Sequence, residues 1–413
     1  MRESPLSVTL LLVYLLRHNP LSTQVSIDAF FDDISRTPVS KSAISQRRTR
    51  LKPEIFDYFD RELLRQSYQI LEGSLRLWHG WHILACDGSD FALPDTDAVA
   101  EYFERYRYRN GHGNRGKTFP MGKAVMISDI LNGFTLCSRL LPYKTNEGLT
   151  FSGMLPELLH TAPLDLMMSI LLFDRGFFSL KLMYDMIRAG LKFVVRLNNV
   201  VNIVRDFVAS GRTEADVEWM PTPDTSLGSD PNWKKQGRKP LKLRLVRVHL
   251  SSGETEVLAT NLTSDEVDAS AMKKLYLLRW PIEVEFLHYK HVYQIEAFSG
   301  ARPVCVMQDF RAVILCHNMA CLVTDSVKDD IEADCRNKKY SYKTNTAVFV
   351  GVFFMVFVRM MLLDRTNEYV NYLERTARKI LIPIHEDRSY PRVRKKHKKT
   401  TRNLTFSNRK RVV

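Results

Sequence analysis

A regular succession of apolar segments between residues 79 and 199 constrains the fold more than any other feature of this sequence. Two strand-like segments meet at Asn132-Gly133, a dipeptide typical of tight hairpin turns. Apolar residues at helical spacing predict helices, and short continuous apolar runs predict buried strands. The predicted order is three strands, helix, strand, helix and strand, over Trp81–Asp90, two runs within Gly122–Tyr143, Leu149–Thr161, Met167–Gly176, Ser179–Ala189 and Lys192–Leu197.

This order predicts an α/β fold with a ribonuclease H-like catalytic core. Residues 200–265 break the rhythm with two strand-like runs and a loop rich in proline and glycine, which predicts a β-rich insertion. A helix is expected to follow from Ala269, and the chain beyond Gly300 has mostly helical spacing. Helical regions therefore flank the core on both sides.

Length and composition are those of a globular protein with a sizeable core, because the 413 residues are 45% hydrophobic. The six cysteines form no CxxC pair, which disfavours a zinc ribbon or a disulfide framework and favours reduced thiols in the cytosol. The apolar run Leu6–Leu16 is too short to cross a membrane, and the run Ala347–Leu363 contains Arg359. Both runs are expected to be buried core helices.

Positive charge is concentrated at the C-terminal end. Residues 388–413 hold eleven Lys and Arg and no acid, whereas the net charge of the whole chain is +14. Such a run neutralises phosphates without reading a base sequence, so it favours a polyanionic partner. A tail that only improves solubility is the alternative, since a charge run alone names no partner.

A second basic segment lies near the N-terminus, within Val39–Phe59. Ser40 is expected to cap a helix that carries Arg47 and Arg48 and ends before Pro53. The segment predicts a small helical DNA-contacting region in which Arg47 and Arg48 bind DNA. An ordinary amphipathic helix with a charged outer face explains it equally well.

The segment GHGNRGKT, Gly111–Thr118, matches the letters of a nucleotide-binding P-loop, but its surroundings do not. A P-loop needs a buried strand before it and a helix after it. The preceding EYFERYRYRN is highly charged, and Pro120 with the strand-like GKAVMI leaves no helix behind. We therefore expect a mobile basic loop that touches nucleic acid. Its basic residues are Arg105, Arg107, Arg109, Arg115 and Lys117.

Three acids from distant positions predict a metal-dependent site. Asp87 and Asp174 are expected to end the first and fourth strands, and Glu283 lies on a later helix. Singly they have ordinary explanations, as a turn at Asp87-Gly88, an ion pair of Asp174 with Arg175, and a surface charge at Glu283. Together they can hold two Mg²⁺ ions about 4 Å apart, with Mn²⁺ as a substitute, for phosphodiester chemistry.

One acid, two bases and a tyrosine share a helical face in YLLRWPIEVEFLHYK, residues 276–290. At about 100° per residue they fall within roughly 60° of one another, which is typical neither of a core stripe nor of a solvated helix. The four are Tyr276, Arg279, Glu283 and Lys290. Pro281 removes a backbone donor, so we expect the helix to kink or begin there, with Glu283 in its first turn.

The spacing of these four residues resembles that of a known family. Tyr, two residues, Arg, three residues, Glu, six residues and Lys is the signature of DDE transposases of the bacterial insertion-sequence-four family. CDGSDFALPDT is similar to the block around the first aspartate of that family, and FDRGFFS to the block around the second. LATNL resembles the strand before its terminal helix, and the likeness covers residues 40–325.

The resemblance implies a DNA transposase that binds the ends of an insertion sequence, cleaves the backbone and joins the ends to target DNA. The implied catalytic and metal-binding residues are Asp87, Asp174 and Glu283. The residues expected to contact the DNA backbone near the cleaved end are Tyr276, Arg279 and Lys290. The expected partner is double-stranded DNA, in a complex with a homodimer, in the bacterial cytoplasm and associated with the nucleoid when bound.

Two other function classes stay open at this point, namely a ribonuclease H-like nuclease that cuts without joining and a domesticated, catalytically idle DNA-binding protein. The expected division of the chain is 1–78, a helical DNA-binding region; 79–199 and 266–325, the core; 200–265, the β-rich insertion; 326–375, a C-terminal helical region; and 376–413, the basic tail.

Overall fold

The structure is a computed structural model that describes residues 6–17, 22–109, 115–198, 201–249 and 255–384. For residues 107–109 and 115–117 it describes the backbone alone. The predicted basic tail from Arg388 onward lies outside the described residues, as does the centre of the predicted loop at 110–114.

The first four elements of the described chain are helices, helices and strands are mixed in its middle part, and helices dominate the last third. The helices are α1 (Val8–Leu16), α2 (Thr23–Asp32), α3 (Lys41–Arg48), α4 (Glu54–Ile70), α5 (Asp97–Phe103), α6 (Glu147–Thr161), α7 (Leu180–Arg188), α8 (Asn202–Ala209), α9 (Pro231–Lys235), α10 (Ala269–Leu277), α11 (Pro281–His291), α12 (Pro303–Ser326), α13 (Lys328–Cys335), α14 (Thr346–Leu362) and α15 (Thr366–Lys379). The strands are β1 (His82–Ala92), β2 (Arg105–Arg109), β3 (Arg115–Asp129), β4 (Phe134–Pro142), β5 (Ser169–Phe173), β6 (Lys192–Arg196), β7 (Glu214–Trp219), β8 (Leu241–His249), β9 (Thr255–Thr260), β10 (Tyr342–Thr344) and β11 (Leu381–Pro383).

The chain forms two compact units, which we describe separately. The sheet unit comprises Leu64–Asp90 and Lys123–Phe286, and the helical unit comprises Met1–Leu63, Phe91–Gly122 and Leu287–Val413. The elements β1, β3 and α11 each pass from one unit to the other along the chain.

In the sheet unit, β1, β5 and β6 are neighbouring parallel strands, and β3 lies beside β1 with β4 on its other side. Strand β9 pairs antiparallel with β6, and β8 and β7 continue the sheet. The order β4-β3-β1-β5-β6 is the ribonuclease H-like arrangement that the sequence predicts. The strands of the predicted insertion extend the same sheet, since hydrogen bonds join β9 directly to β6.

Local signals in the sequence explain the main elements of this unit. The β3–β4 hairpin turns at Asn132-Gly133, where Gly133 has a φ of 76° and Asn132 Nδ2 donates to Asp129 Oδ2 at 2.8 Å. Asn146 caps α6 by accepting from the Leu149 N–H at 3.0 Å. The core between the sheet and α10 includes Ile83, Ile170, Leu172, Val194, Leu258, Met272 and Leu275, all fully buried.

The expectation that the first strand ends at Asp87 is wrong. Strand β1 continues to Ala92, although its pairing with β5 stops at the register pair Cys86↔Phe173. Within the predicted segment Trp81–Asp90 the apolar run ends at Cys86, so the strand end was placed at Asp87, whereas residues 87–90 are half-buried and still extended. The end of an apolar run marked where full burial stops, not where the strand stops.

In the helical unit, α1, α12, α14 and α15 contribute to one apolar core, in which Phe349, Phe353 and Phe357 are fully buried. This confirms that Leu6–Leu16 marks a buried helix. Within Ala347–Leu363, α14 buries one face in the core, whereas Val348, Met355 and Met361 are exposed. By length and composition alone, α12 is the one helix among the described residues that could cross a membrane, and two thirds of its apolar stretch is buried inside the protein.

The chain on both sides of the expected basic loop is a β-hairpin. Strand β2 pairs antiparallel with β3, from Arg105↔Pro120 to Arg109↔Arg115. The expectation of a loop through residues 105–109 is therefore wrong, because alternating Arg and Tyr side chains also suit a two-stranded ribbon. Gly116, Lys117 and Thr118 lie in β3, where a P-loop would require the start of a helix.

Candidate active site

Asp87 and Asp174 come directly after two residues that face each other on neighbouring parallel strands. Cys86 on β1 and Phe173 on β5 form the last register pair between these strands. Adjacent strands in a sheet lie about 4.8 Å apart, so the backbone delivers both aspartates to the same edge. Asp174 then starts a short 3-10 turn, Arg175–Phe177, and the chain leaves the sheet.

The surroundings of Asp174 leave one of its oxygens without a hydrogen-bond donor among the described residues. Asp174 Oδ1 is buried and accepts no hydrogen bond, and the nearest cation, Arg196 Nη1, lies 3.6 Å away. The hydroxyl of Tyr276 donates to the carbonyl oxygen of Phe173 at 3.3 Å, directly before Asp174. A buried carboxylate oxygen in this state has capacity for a further positive ligand.

Glu283 enters the site from a helix that starts at a proline. Helix α10 ends at Leu277, α11 begins at Pro281, and Glu283 lies in the first turn of α11. This confirms the expectation that Pro281 starts a new helix, which it can do because the first helical N–H needs no partner within the helix. The acid also faces the positive end of the helix dipole.

Arg279 lies in the break between the two helices and links two of the acids. Its Nη2 donates to Glu283 Oε1 at 2.7 Å, and its Nη1 lies 3.6 Å from Asp87 Oδ2. The residue is 8% exposed, so the guanidinium group is largely shielded from water. Asp174 is also close enough to act electrostatically on Arg279. The single positive charge of Arg279 therefore partly offsets the negative charges of Asp87 on β1, Asp174 at the end of β5 and Glu283 on α11.

The surroundings of Asp87 raise the pKa of its carboxyl group. Burial raises the pKa of Asp87 to about 6, and the carboxylates of Glu283 and Glu147 act in the same direction. The Gly88 N–H, which donates to Asp87 Oδ1 at 2.8 Å, and the charge of Arg279 oppose this rise. Burial is thus the main cause of the shift, and the neighbouring carboxylates of Glu283 and Glu147 add to it.

Glu147 is a fourth acid at this site that the sequence analysis missed. It is the first residue of α6, and Lys123 Nζ donates to its Oε1 at 3.0 Å. Its side chain lies against Gly88, the residue after Asp87, and near Gly176. The sequence signal for it is weak, because Asn146-Glu147 looks like an ordinary helix cap with an acidic first turn.

The donor set fits a divalent metal ion in its chemistry. Asp87, Asp174 and Glu283 offer carboxylate oxygens, the ligands that Mg²⁺ and Mn²⁺ prefer, and Asp174 Oδ1 has no hydrogen-bond donor. Among the residues that the structure describes, however, no group of three or more acidic, His or Cys side chains is drawn together closely enough to hold a metal. Arg279 lies between Asp87 and Glu283 in this conformation.

The remaining predicted site residues are distributed over both units. Tyr276 is buried in the sheet unit, where its ring lies 5.9 Å from the guanidinium carbon of Arg279. Lys290 belongs to the helical unit, and its Nζ lies 4.8 Å from the centre of the Phe91 ring. Arg47, also in the helical unit, is half-buried and donates from Nη2 to the carbonyl oxygen of Leu6 at 3.1 Å.

Arg48 is not available to DNA in this structure, so the prediction that it binds DNA is wrong. Its side chain is 3% exposed, although α3 is the helix that the sequence predicts from the cap at Ser40. All of its acceptors lie within the helical unit, and they are Gln308 Oε1, Ser299 Oγ, the Cys305 carbonyl oxygen and Asp309 Oδ1. Helical spacing placed Arg48 on the same turn as Arg47. It could not show that Arg48, and not Arg47, binds the buried carboxylate of Asp309.

Comparison with known proteins decides the family. The family model described as a transposase DDE domain matches residues 79–319, which is more than half of the chain and includes all three predicted acids. The chain belongs to the DDE-domain transposases.

Three proteins to which the chain is similar are named as transposases. This DDE-domain transposase is 27% identical over 178 residues to InsZ, a provisionally named transposase of Escherichia coli (strain K12), in a match that covers 42% of this chain. The chain spans about half the length of that relative, 55%. Among solved structures, the piggyBac transposase synaptic complex with hairpin DNA gives a TM-score of 0.41 at 10% identity, over 93% of this chain and 76% of that one. The Mos1 transposase paired-end complex gives a TM-score of 0.16 at 12% identity, over 75% and 81%.

Proposed function

We propose that the chain is a DNA transposase of the insertion-sequence-four type, which binds the ends of an insertion sequence, cleaves the backbone there and joins the ends to target DNA. The observation that carries the proposal is the meeting of Asp87 and Glu283 at Arg279, with Asp174 following the register partner of Cys86. Membership of the DDE-domain transposases and the unbroken spacing of Tyr276, Arg279, Glu283 and Lys290 support it.

The three acids have the central role in this proposal. Asp87, Asp174 and Glu283 would hold two Mg²⁺ ions, or Mn²⁺ in their place. Metal ions so held activate the attacking water or 3′-hydroxyl and stabilise the leaving oxygen of the phosphodiester. The rigid sheet edge at Asp87 and Asp174 keeps two of the ligands in fixed positions, and the first turn of α11 supplies the third.

Arg279 is proposed to bind the acids Asp87 and Glu283 in the metal-free protein and a DNA phosphate once the acids are neutralised by other cations. In the metal-free protein its guanidinium offsets the charges of Asp87 and Glu283. When other cations neutralise these acids, the same donors can bind a phosphate of the DNA end, because a guanidinium suits carboxylate and phosphate oxygens equally well. Tyr276, Lys290 and Arg47 are proposed to contact the backbone as well, which positions the DNA without reading its sequence.

The proposed partner is double-stranded DNA, both the element ends and the target, bound by a homodimer in the bacterial cytoplasm and within the nucleoid. The net charge of +14 supports a polyanionic partner.

A cleavage and joining assay tests the proposal. The DNA around the reading frame is searched for short inverted repeats, and a labelled duplex carrying one repeat is incubated with the full chain, Mg²⁺ and a supercoiled target plasmid. We expect cleavage at the repeat border and covalent transfer of the label to the plasmid. Cleavage without transfer would show that the protein is a nuclease that does not join DNA. Binding without cleavage would show that it is a catalytically idle DNA-binding protein.

A further inference from the structure

The carboxylate of Glu147 lies against two glycines that follow the proposed catalytic aspartates. A Cβ atom added at Gly88 would lie 2.5 Å from Glu147 Oε1, and one added at Gly176 would lie 3.3 Å from Oε2. One oxygen thus faces the chain after Asp87, and the other faces the turn after Asp174. Neither glycine has a positive φ, so the space taken by Glu147 explains these glycines better than backbone freedom does.

A helix cap and a lysine hold Glu147 in this place. The Asn146 side chain caps α6 so that Glu147 becomes its first residue. Lys123 Nζ on β3 lies 3.0 Å from Glu147 Oε1 and 3.0 Å from Asp90 Oδ1 on β1. The side chains of Lys123 and Glu147 are only 17% and 23% exposed, so this pair is better shielded from solvent than an ordinary surface ion pair.

We propose that Glu147 is a positioning residue that sets the spacing between the chain segments carrying Asp87 and Asp174, with Lys123 holding its carboxylate in place. The inference rests on the proposed function, because it assigns Glu147 to the acids that would hold the metal ions. Those acids must keep their positions to within about 0.5 Å, and an error of about 1 Å costs on the order of a hundredfold in rate. A side chain in contact with both segments is suited to that task.

The first test removes the side chain and then replaces it with one of equal size. Glu147→Ala should lower the rate of end cleavage by roughly ten- to a hundredfold and raise the Mn²⁺ concentration that half-saturates the DNA-free protein, measured by electron paramagnetic resonance. Glu147→Gln keeps the volume between the glycines, so it should retain more of both properties. Glu157→Ala is the matched control, because Glu157 lies on the same helix and pairs with Arg139.

The second test uses the close approach to Gly88. Gly88→Ala places a methyl group in the space of the Glu147 carboxylate and also displaces the segment that carries Asp87, so we expect a larger loss of cleavage and of Mn²⁺ affinity than for Glu147→Ala. In the double variant Gly88→Ala with Glu147→Ala the collision is gone, and both properties should exceed those of Gly88→Ala alone. Gly153→Ala is the control, because a methyl group there meets no atom within 4 Å.

The outcomes separate this inference from the proposed function. If the unmodified protein cleaves no DNA, the proposed function fails, and the Mn²⁺ titrations still decide the role of Glu147. If Glu147→Ala and Gly88→Ala both match the unmodified protein in Mn²⁺ binding, the positioning role is overturned. The same holds if the double variant is no better than Gly88→Ala, because Gly88→Ala would then act without colliding with Glu147.

Discussion

Asp87 and Asp174 follow Cys86 and Phe173, the last facing pair between two parallel strands, so the two aspartates leave the sheet pairing at the same level. This relationship brings residues 87 positions apart in sequence to one edge through backbone hydrogen bonds alone. Side-chain contacts then add Glu283 through Arg279. The register of the sheet thus positions the two aspartates, and the ion pairs of Arg279 link Glu283 to Asp87.

The first prediction concerns Arg279. Arg279→Met should lower the free energy of unfolding of the metal-free protein by about 2 kcal/mol, because Asp87 and Glu283 lose their shared partner in a poorly solvated place. Adding Mn²⁺ should recover more stability in this variant than in the unmodified protein. Thermal unfolding in EDTA and in Mn²⁺ measures both quantities.

The control for that experiment is Lys242→Met, which removes an exposed cation that lies 3.9 Å from Glu218. It should change stability by less than about 0.5 kcal/mol with or without metal. Equal unfolding temperatures for Arg279→Met and the unmodified protein in EDTA would show that Arg279 does not neutralise the acids.

The second prediction concerns the buried Arg48. Arg48→Lys should lower the free energy of unfolding by about 3 kcal/mol, because a lysine cannot reach the acceptors at Gln308, Cys305 and Asp309 together. Chemical denaturation measures the loss. Arg50→Lys is the control at an exposed position two residues away, and it should be neutral. An unchanged midpoint for Arg48→Lys would mean that the buried network contributes little.

The third prediction is a dependence of stability on pH through Asp60. Burial raises the pKa of Asp60 from its ordinary value of 3.8 to about 7, although Asn318 Nδ2 donates to its Oδ1 at 2.8 Å. The folded state therefore holds this proton more tightly than the unfolded state does. Its contribution to stability is complete below about pH 4 and is lost as the pH rises towards 7.

Asp60→Asn should accordingly raise the free energy of unfolding by at least about 1 kcal/mol at pH 8 and change it little at pH 4. The amide oxygen of the variant can still accept from Asn318. Asp364→Asn, at an exposed position of the same unit, should show no such dependence on pH. A gain of equal size at both pH values would contradict the assignment to Asp60.

The fourth prediction concerns the C-terminal residues 388–413, which lie outside the described residues. Deleting them should weaken binding to any duplex DNA and flatten the plot of log affinity against log salt, because up to eleven positive charges no longer displace counterions. Affinity measured between 50 and 200 mM salt tests this, with non-specific DNA as the ligand. An unchanged slope would assign the tail to solubility alone.

The sequence predicted much of this fold because its strongest signals are local. The apolar run before Asp174, the Asn132-Gly133 turn and the helical spacing from Ser179 each depend on neighbours within a few residues, and each element appears where expected. Pro281 likewise started the helix that carries Glu283. Periodicity and caps are sufficient for such features.

Features that depend on distant partners were missed. The sequence could not show that Arg48 meets Asp309, because the two residues lie 261 positions apart. It could not show that Glu147 lies between Gly88 and Gly176, since that contact exists only once β1, β5 and α6 are packed. Helical spacing also placed Tyr276 and Lys290 on one face, but the break before Pro281 separates their helices.

The most direct test of the central claim replaces each proposed metal-holding acid with its uncharged isostere. Asp87→Asn, Asp174→Asn and Glu283→Gln are compared with Glu218→Gln, an exposed acid on β7. The measurement is the rate of Mg²⁺-dependent cleavage and joining of a labelled element end, with end binding followed by gel mobility. We expect each of the three to lose at least about a thousandfold in rate while end binding stays within about threefold, and the control to match the unmodified protein. Cleavage and joining at the unmodified rate by any one of the three would contradict the account.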